Sequence, residues 1–105
     1  MMFTAGIIAE YNPFHTGHLK LIESLKDAGA THIAVVMSGD FVQRGEAAAF
    51  DKWSRTRWAL IAGADIVLEL PAVYALQSAS GFAAGGVRTL AATGMLGASI
   101  LSSNY

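Results

Sequence analysis

The chain has 105 residues, of which 53% are hydrophobic, and its formal charge is −1. This length suffices for one small hydrophobic core, so a single domain over residues 1–105 is expected. The same length is too short for two domains. The near-neutral charge excludes an overall electrostatic field that would attract nucleic acid. The lack of cysteine excludes disulfides and thiolate zinc sites. Glu10 interrupts the N-terminal apolar run well short of membrane-spanning length, so no membrane contact is expected. The lack of cysteine is compatible with a reducing cytoplasm, which is the predicted localisation.

The first predicted element is a buried strand over Thr4–Ala9. Asn12-Pro13 ends it, because a residue before proline avoids helical geometry. Thr16 is then predicted to cap a helix with apolar residues at helical spacing, and Gly29 is its stop signal.

Two histidines, His15 and His18, stand three positions apart after this strand, with Gly17 between them. Residues at this spacing share one face of a helix, and the N–H groups at a helix start favour an anion. Glycine lets a ligand approach the backbone closely. The motif predicts contacts to nucleotide phosphates. Histidines satisfied by backbone carbonyls are one alternative, and a shared zinc ion without an obvious third ligand is another.

A second strand is predicted over Thr31–Met37, followed by a polar loop over Gly39–Glu46. Asp51 is predicted to cap the next helix, which reaches about Ala62 and stops at Gly63. The apolar side chains expected to be buried on this helix are Trp58, Leu60 and Ile61.

The last third of the chain predicts a third strand over Asp65–Leu70 and a small-residue helix from Ser78 or Ser80 to about Thr93. A fourth, short strand is expected over Ala98–Leu101. Strands that alternate with helices predict an α/β fold with a parallel sheet covered on both faces. Ligands of such sheets bind beyond the carboxyl ends of the strands, where the histidine loop and the polar loop should meet.

Four segments of the chain resemble the motifs of one known protein family. They are Gly6–His15, Met37–Glu46, Asp51–Arg55 and Gly63–Pro71. With the H-x-G-H signature of nucleotidyltransferases, they closely resemble the N-terminal part of bacterial tRNA(Met) cytidine acetate ligases. The resemblance implies a Rossmann-like nucleotidyltransferase fold of the HUP type, here as the N-terminal part of a longer family pattern.

The resemblance also implies a reaction, in which ATP and acetate form acetyl-adenylate and the acetyl group passes to N4 of the wobble cytidine of elongator tRNA(Met). His15 and His18 are then the catalytic pair that stabilises charge as pyrophosphate leaves. ATP is the implied cofactor, and Mg²⁺ is expected through its phosphates. The family's ATP-binding stretch maps onto Ile8, Ala9, Glu10, Tyr11, Asn12, Pro13, Phe14, His15, Thr16, Gly17, His18, Leu19, Lys20 and Leu21.

The chain departs from the family pattern in two respects. Ser103-Asn104-Tyr105 replaces a glycine-serine-glutamate turn, so Ser103 stands where a nucleotide-contacting glycine is expected. Family members are also several times longer, and their later ATP contacts and tRNA-binding region have no counterpart here. We therefore expect weak ATP binding and little acetyl-adenylate from this chain alone. A small-molecule adenylyltransferase and a non-catalytic nucleotide-binding fragment are the alternative functions.

Substrate or RNA contacts are predicted at Gln43, Arg44, Lys52 and Arg55. Arg44 offers a planar fork for a carboxylate or phosphate. Lys52 and Arg55 form, with Trp53, a small basic and aromatic group on one helix. A solvated helix face is the alternative explanation of that group.

Four polar residues near strand ends are the remaining candidates. Asn12 either contacts ribose or phosphate or only forms a turn, and Glu10 either orients a histidine, binds ligand or is solvated. Asp65 and Glu69 are predicted to be structural.

The mean hydropathy of +0.43 is high for a small domain, and the last third is rich in alanine and glycine. An exposed apolar face is therefore expected. A homo-oligomer that covers this face is the resulting prediction, and coverage by further chain outside these 105 residues is the alternative.

Overall fold

The computed structural model describes residues 4–42, 47–75, 79–92 and 99–102. In chain order these residues form β1 (Thr4–Ala9), α1 (Thr16–Asp27), β2 (His32–Ser38), α2 (Lys52–Ala62), β3 (Ile66–Leu70), α3 (Ala72–Ala75), α4 (Ala79–Ala92) and β4 (Ser99–Ser102). The strands form one 4-stranded sheet in the order β3-β2-β1-β4, and every pairing is parallel. The predicted α/β fold with a parallel sheet is confirmed.

Alternate residues of the central strands fill two cores, one on each face of the sheet. Ile7 of β1 packs with Ile22 of α1 and Ala59 of α2 on one face. Ile8 packs with Phe82 of α4 on the other. Successive side chains of a strand point to opposite faces, so the uninterrupted apolar runs of β1 and β2 supply both cores.

The start of α1 differs from the prediction. His15, and not Thr16, is the N-cap residue, since its backbone is extended at φ −136° and its side chain accepts a hydrogen bond from Gly17 N. Thr16 is instead the first helical residue. A histidine ring nitrogen here replaces the hydroxyl oxygen that usually caps a helix.

The ends of α1 and α2 follow the sequence signals. Gly29 and Gly63 have φ values of +107° and +123°, a conformation that suits glycine because it lacks a Cβ atom. Both predicted stop signals are confirmed. Asp51 is confirmed as the N-cap of α2, since its side chain accepts from Ser54 N at 2.9 Å.

The predicted burial on α2 is wrong for two residues. Leu60 is 45% exposed and Ile61 is 77% exposed, while Trp58 is half-buried. The residues that α2 buries are Arg55 and Ala59, which lie four positions apart and hence on one face. The helix therefore packs on the sheet through this narrow stripe and turns Leu60 and Ile61 outward.

The C-terminal elements agree with the prediction within the described residues. Ser80 lies within α4, whereas Ser78, Thr93 and Ala98 fall outside the described residues. The short helix α3 was not predicted; it begins after Pro71, whose carbonyl accepts from Tyr74 N at 3.0 Å. Within the described ranges, no helix has the length and apolar content needed to cross a membrane.

Candidate active site

The histidine loop is organised by a capping box at the start of α1, in which backbone N–H groups donate to both histidine side chains. Gly17 N donates to His15 Nδ1 at 3.1 Å, and His15 N donates to His18 Nδ1 at 3.1 Å. The two rings stack with centroids 3.7 Å apart. The side chains that were predicted to meet phosphate thus also satisfy N–H groups at the helix start.

The same hydrogen bonds fix the tautomer of both rings. Because Nδ1 accepts in His15 and in His18, a neutral ring carries its proton on Nε2. Both side chains are therefore donors at Nε2, as a phosphate oxygen requires. His15 is exposed, whereas His18 is only 2% exposed.

An aromatic cluster surrounds the buried histidine. Tyr11 and His18 meet edge to face at 4.7 Å, and Phe14 packs on both rings. Burial raises the pKa of the Tyr11 phenol, which keeps it neutral. Among the described residues, Tyr11 Oη has no hydrogen-bond partner. The cluster therefore holds His18 mainly by ring packing.

The predicted ATP-binding stretch, residues 8–21, runs from the end of β1 through this loop into α1. Asn12 Oδ1 accepts from Phe50 N at 3.1 Å, so Asn12 ties the loop to the segment before α2. This contact gives Asn12 a structural role. Nucleotide contacts along the stretch stay a prediction.

Arg55 occupies the interior beneath the site. It is fully buried, and its guanidinium donates to four backbone carbonyls, those of Phe50 at 2.9 Å, Glu10 at 2.8 Å, Ser38 at 2.9 Å and, through Nη2, Gly39. This burial contradicts the predicted substrate or RNA contact of Arg55. Its side chain instead joins the chain segments that follow β1 and β2 to helix α2.

The electrostatic surroundings of Arg55 match this role. Burial lowers the pKa of its guanidinium, and four carboxylates oppose that shift, those of Asp40, Asp51, Glu10 and Glu69. Arginine stays protonated in proteins, so the interior holds a cation satisfied by carbonyl oxygens. No local pattern in the sequence indicates this burial, because two of the four carbonyl acceptors, at Glu10 and Ser38, lie far from Arg55 in the chain.

A cleft of about 110 Å³ opens beside α2, at the carboxyl ends of β2 and β3. On its wall, Lys52 Nζ donates to Glu69 Oε1 at 3.1 Å and lies 3.8 Å from Asp40 Oδ2. The hydrogen bond with Glu69 raises the pKa of Lys52, and burial opposes the shift. Lys52 also lies 5.4 Å from the centroid of the Trp53 ring.

The other predicted residues divide into three groups. Asp65 is structural as predicted, because its Oδ2 accepts from Ile33 N at 2.7 Å. Glu69 lies on the cleft wall as well as on β3, a placement that the sequence reading missed. Gln43, Arg44 and Ser103 fall outside the described residues. In the part of the chain that the structure describes, no three histidine or carboxylate side chains converge as a metal site.

A match to a known protein family identifies the family of this chain. The model of the HIGH Nucleotidyl Transferase family matches residues 2–102. The chain belongs to this family. The histidine loop of this chain has the H-x-G-H signature, and the predicted nucleotidyltransferase fold is confirmed.

Individual relatives of this chain are named tRNA(Met) cytidine acetate ligases. The protein from Geobacillus sp. (strain WCH70) is 58% identical over 90 residues, which are 85% of this chain and 22% of the relative. The protein from Leuconostoc citreum (strain KM20) is 50% identical over 95 residues, 90% of this chain and 24% of the relative. The predicted resemblance is confirmed, and the chain spans less than a quarter of the length of these relatives.

A solved structure extends the likeness to three dimensions. Thermotoga maritima TmcAL, crystallised bound with alpha-thio ATP, superposes with a TM-score of 0.83 at 50% identity. The match covers 89% of this chain and 23% of that protein. An apo crystal form of the same TmcAL gives a TM-score of 0.82 at 49% identity.

Proposed function

We propose that this chain is the ATP-binding part of an acetate-activating ligase that acetylates N4 of the wobble cytidine of elongator tRNA(Met). One observation carries the proposal: hydrogen bonds to Nδ1 leave Nε2 as the donor atom of both His15 and His18 at the start of α1. The likeness to TmcAL bound with alpha-thio ATP supports ATP as the ligand of such a site. The names of the relatives support acetate and tRNA(Met) as the further substrates.

The reaction has two steps. A carboxylate oxygen of acetate attacks the α-phosphorus of ATP, and the bond to the bridging oxygen of pyrophosphate breaks. N4 of cytidine then attacks the acyl carbon of acetyl-adenylate, AMP leaves with its electron pair, and the N4 proton passes to solvent. His15 and His18 donate hydrogen bonds to the phosphates and stabilise the charge that gathers on departing pyrophosphate.

The remaining components follow from the same chemistry. Mg²⁺ accompanies ATP and is held mainly by the phosphates, because it keeps several waters and needs few protein ligands. Residues 8–21 line the nucleotide. We place the protein in the cytoplasm, where ATP and tRNA are available.

The apolar surface of α2 supports a further part of the proposal, that two copies of the chain associate. Leu60 and Ile61 are 45% and 77% exposed, and Ile61 borders an apolar cavity of about 420 Å³ with Phe14, Leu19 and Trp58. In a single copy this surface is exposed to water, which is unfavourable for contiguous apolar groups. A second copy that brings the same face against it removes both surfaces from water.

A chimera tests the enzymatic proposal. The chain replaces the matching part of Thermotoga maritima TmcAL, and acetate-dependent exchange of labelled pyrophosphate into ATP is measured for the chimera, for TmcAL and for the isolated chain. We expect exchange by the first two and little or none by the isolated chain, because contacts from the longer relatives are missing. A folded chimera without acetate-dependent exchange would contradict the proposal, and exchange by the isolated chain at the TmcAL rate would show that it needs no further residues.

A further inference from the structure

We propose that the cleft beside α2 holds the target cytosine base, which Glu69 and Lys52 read along its pairing edge while Trp53 stacks on its face. This inference rests on the proposed function and assigns a base-reading site to it. Three observations support it: the position of the cleft, the acidic and basic side chains on its wall and the exposure of its tryptophan.

The position of the cleft suits an acceptor substrate. Ligands of parallel α/β sheets bind at the carboxyl ends of the strands, and the cleft lies there on β2 and β3. The histidine loop follows β1, the next strand of the sheet. Arg55 donates to Glu10 O and Ser38 O, so one side chain joins the two loops. A base in the cleft is thereby held beside the nucleotide loop.

The size of the cleft suits one aromatic ring. Its volume is about 110 Å³. An enclosed protein cavity of about 150 Å³ takes up benzene, so an open cleft of slightly smaller volume accommodates a single six-membered ring that remains partly outside.

The wall of the cleft presents an acceptor beside a donor. Glu69 offers carboxylate oxygens, and Lys52 offers ammonium protons 3.1 Å away. A carboxylate accepts several hydrogen bonds and an ammonium donates three, so their mutual bond leaves capacity on both. Asp40, 3.8 Å from Lys52, adds a further acceptor.

This acceptor and donor order distinguishes the two pyrimidines of RNA. Cytosine places its N4 amino donor next to the N3 acceptor, which is complementary to Glu69 followed by Lys52. Uracil places the O4 acceptor next to the N3 donor, and both contacts become repulsive. The reacting N4 atom is the one that Glu69 holds.

Two more features fit a base in this place. Trp53 is 73% exposed, although a tryptophan of a small domain is usually largely buried. Exposed aromatic rings stack on unpaired bases in RNA-binding proteins. Gly39 lies so close to Glu69 that a Cβ atom at residue 39 would collide with the Glu69 carboxylate. The glycine therefore leaves room for that carboxylate at the cleft wall.

The test records the indole N–H signals of the chain by NMR during titration with uncharged cytidine and, separately, uridine. Trp53 reports on the cleft, and Trp58, which lines the apolar cavity, is an internal control. We expect the Trp53 signal to move with cytidine and uridine to bind about tenfold more weakly. Glu69→Gln should bring the two affinities together, while Glu23→Gln, an exposed change on α1, should leave the preference intact.

The outcomes separate this inference from the proposed function. Equal responses to cytidine and uridine, or no response at Trp53, overturn the base site, while an ATP-induced shift of the Gly17 amide still supports nucleotide binding. Loss of the ATP response as well counts against the proposed function itself. Because the comparison of nucleosides uses the unaltered chain, it decides the matter even where Glu69→Gln fails to fold.

Discussion

The guanidinium of Arg55 donates from Nη1 to the carbonyl oxygen of Glu10 at 2.8 Å, although 45 positions separate the two residues. Arg55→Met removes this bond and the other bonds to backbone carbonyls, and each buried acceptor left without a donor costs about 1–3 kcal/mol. We expect the free energy of unfolding to fall by about 3 kcal/mol or more, measured by urea denaturation. Arg57→Met, at an exposed position of the same helix, should change it by less than about 0.5 kcal/mol. Similar losses in both variants would refute the positioning role of Arg55.

ATP binding should depend on His18 and not on His32. A charge-assisted hydrogen bond contributes about 1.5–3 kcal/mol, so His18→Ala should weaken ATP binding at least about tenfold in a calorimetric titration. His32 is an exposed histidine at the amino end of β2, and His32→Ala should bind ATP as the unaltered chain does. Unchanged affinity in His18→Ala would place the nucleotide elsewhere. Circular dichroism of each variant checks that α1 remains folded.

The N-cap of α2 should make stability depend on pH in the acid range. Hydrogen bonds from Ser54, first from its backbone N–H, lower the pKa of Asp51 below 3.8 in the folded chain. The stabilisation by Asp51 is therefore fully present above the pKa of the unfolded chain and is lost as the pH falls through the lower folded value.

Asp51→Asn separates this charge effect from capping itself. Its amide oxygen can still accept from Ser54 N, yet it does not titrate, so the variant should lose less stability between pH 5 and pH 2 than the unaltered chain. Thermal unfolding across this range measures the difference. Identical acid profiles would mean that the Asp51 charge contributes nothing.

The close contact between α4 and the sheet depends on a glycine. A Cβ atom at Gly86 would lie 2.5 Å from Ile8 Cδ1, and Ile8 is buried. Gly86→Ala should therefore destabilise the fold by about 1–3 kcal/mol, although alanine is the better helix former. Val87→Ala, at the exposed neighbouring position, should be near neutral in the same thermal unfolding measurement. A more stable Gly86→Ala variant would show that Ile8 yields without cost.

Self-association should run through α2. Sedimentation at micromolar concentration should reveal a dimer or larger species, and Ile61→Lys should shift it to monomer, because a charge then faces an apolar surface. Val73→Lys, at another exposed apolar position on α3, is the matched control and should leave the dimer intact. A monomer at all concentrations would refute the proposed homo-oligomer. The exposed apolar surface of α2 would then contact another polypeptide.

The sequence by itself determined the features that arise from neighbouring residues. The apolar runs of β1 and β2, the cap at Asp51 and the stops at Gly29 and Gly63 depend on contacts within a few positions, so pattern and residue type sufficed. The alternation of strands and helices likewise predicted a parallel sheet, which the strand pairings confirm.

Only the tertiary structure decided which polar side chains lie inside and which apolar ones outside. The sequence places Arg55 in a small basic group on one helix, but its burial depends on carbonyls of two distant segments, at Glu10 and Ser38, together with that of nearby Phe50. Lys52 and Glu69 are 17 positions apart and meet only because α2 packs beside β3. Leu60 and Ile61 are outward because the stripe of Arg55 and Ala59 faces the sheet. Contacts between distant segments depend on strand order and helix rotation, which local periodicity does not specify.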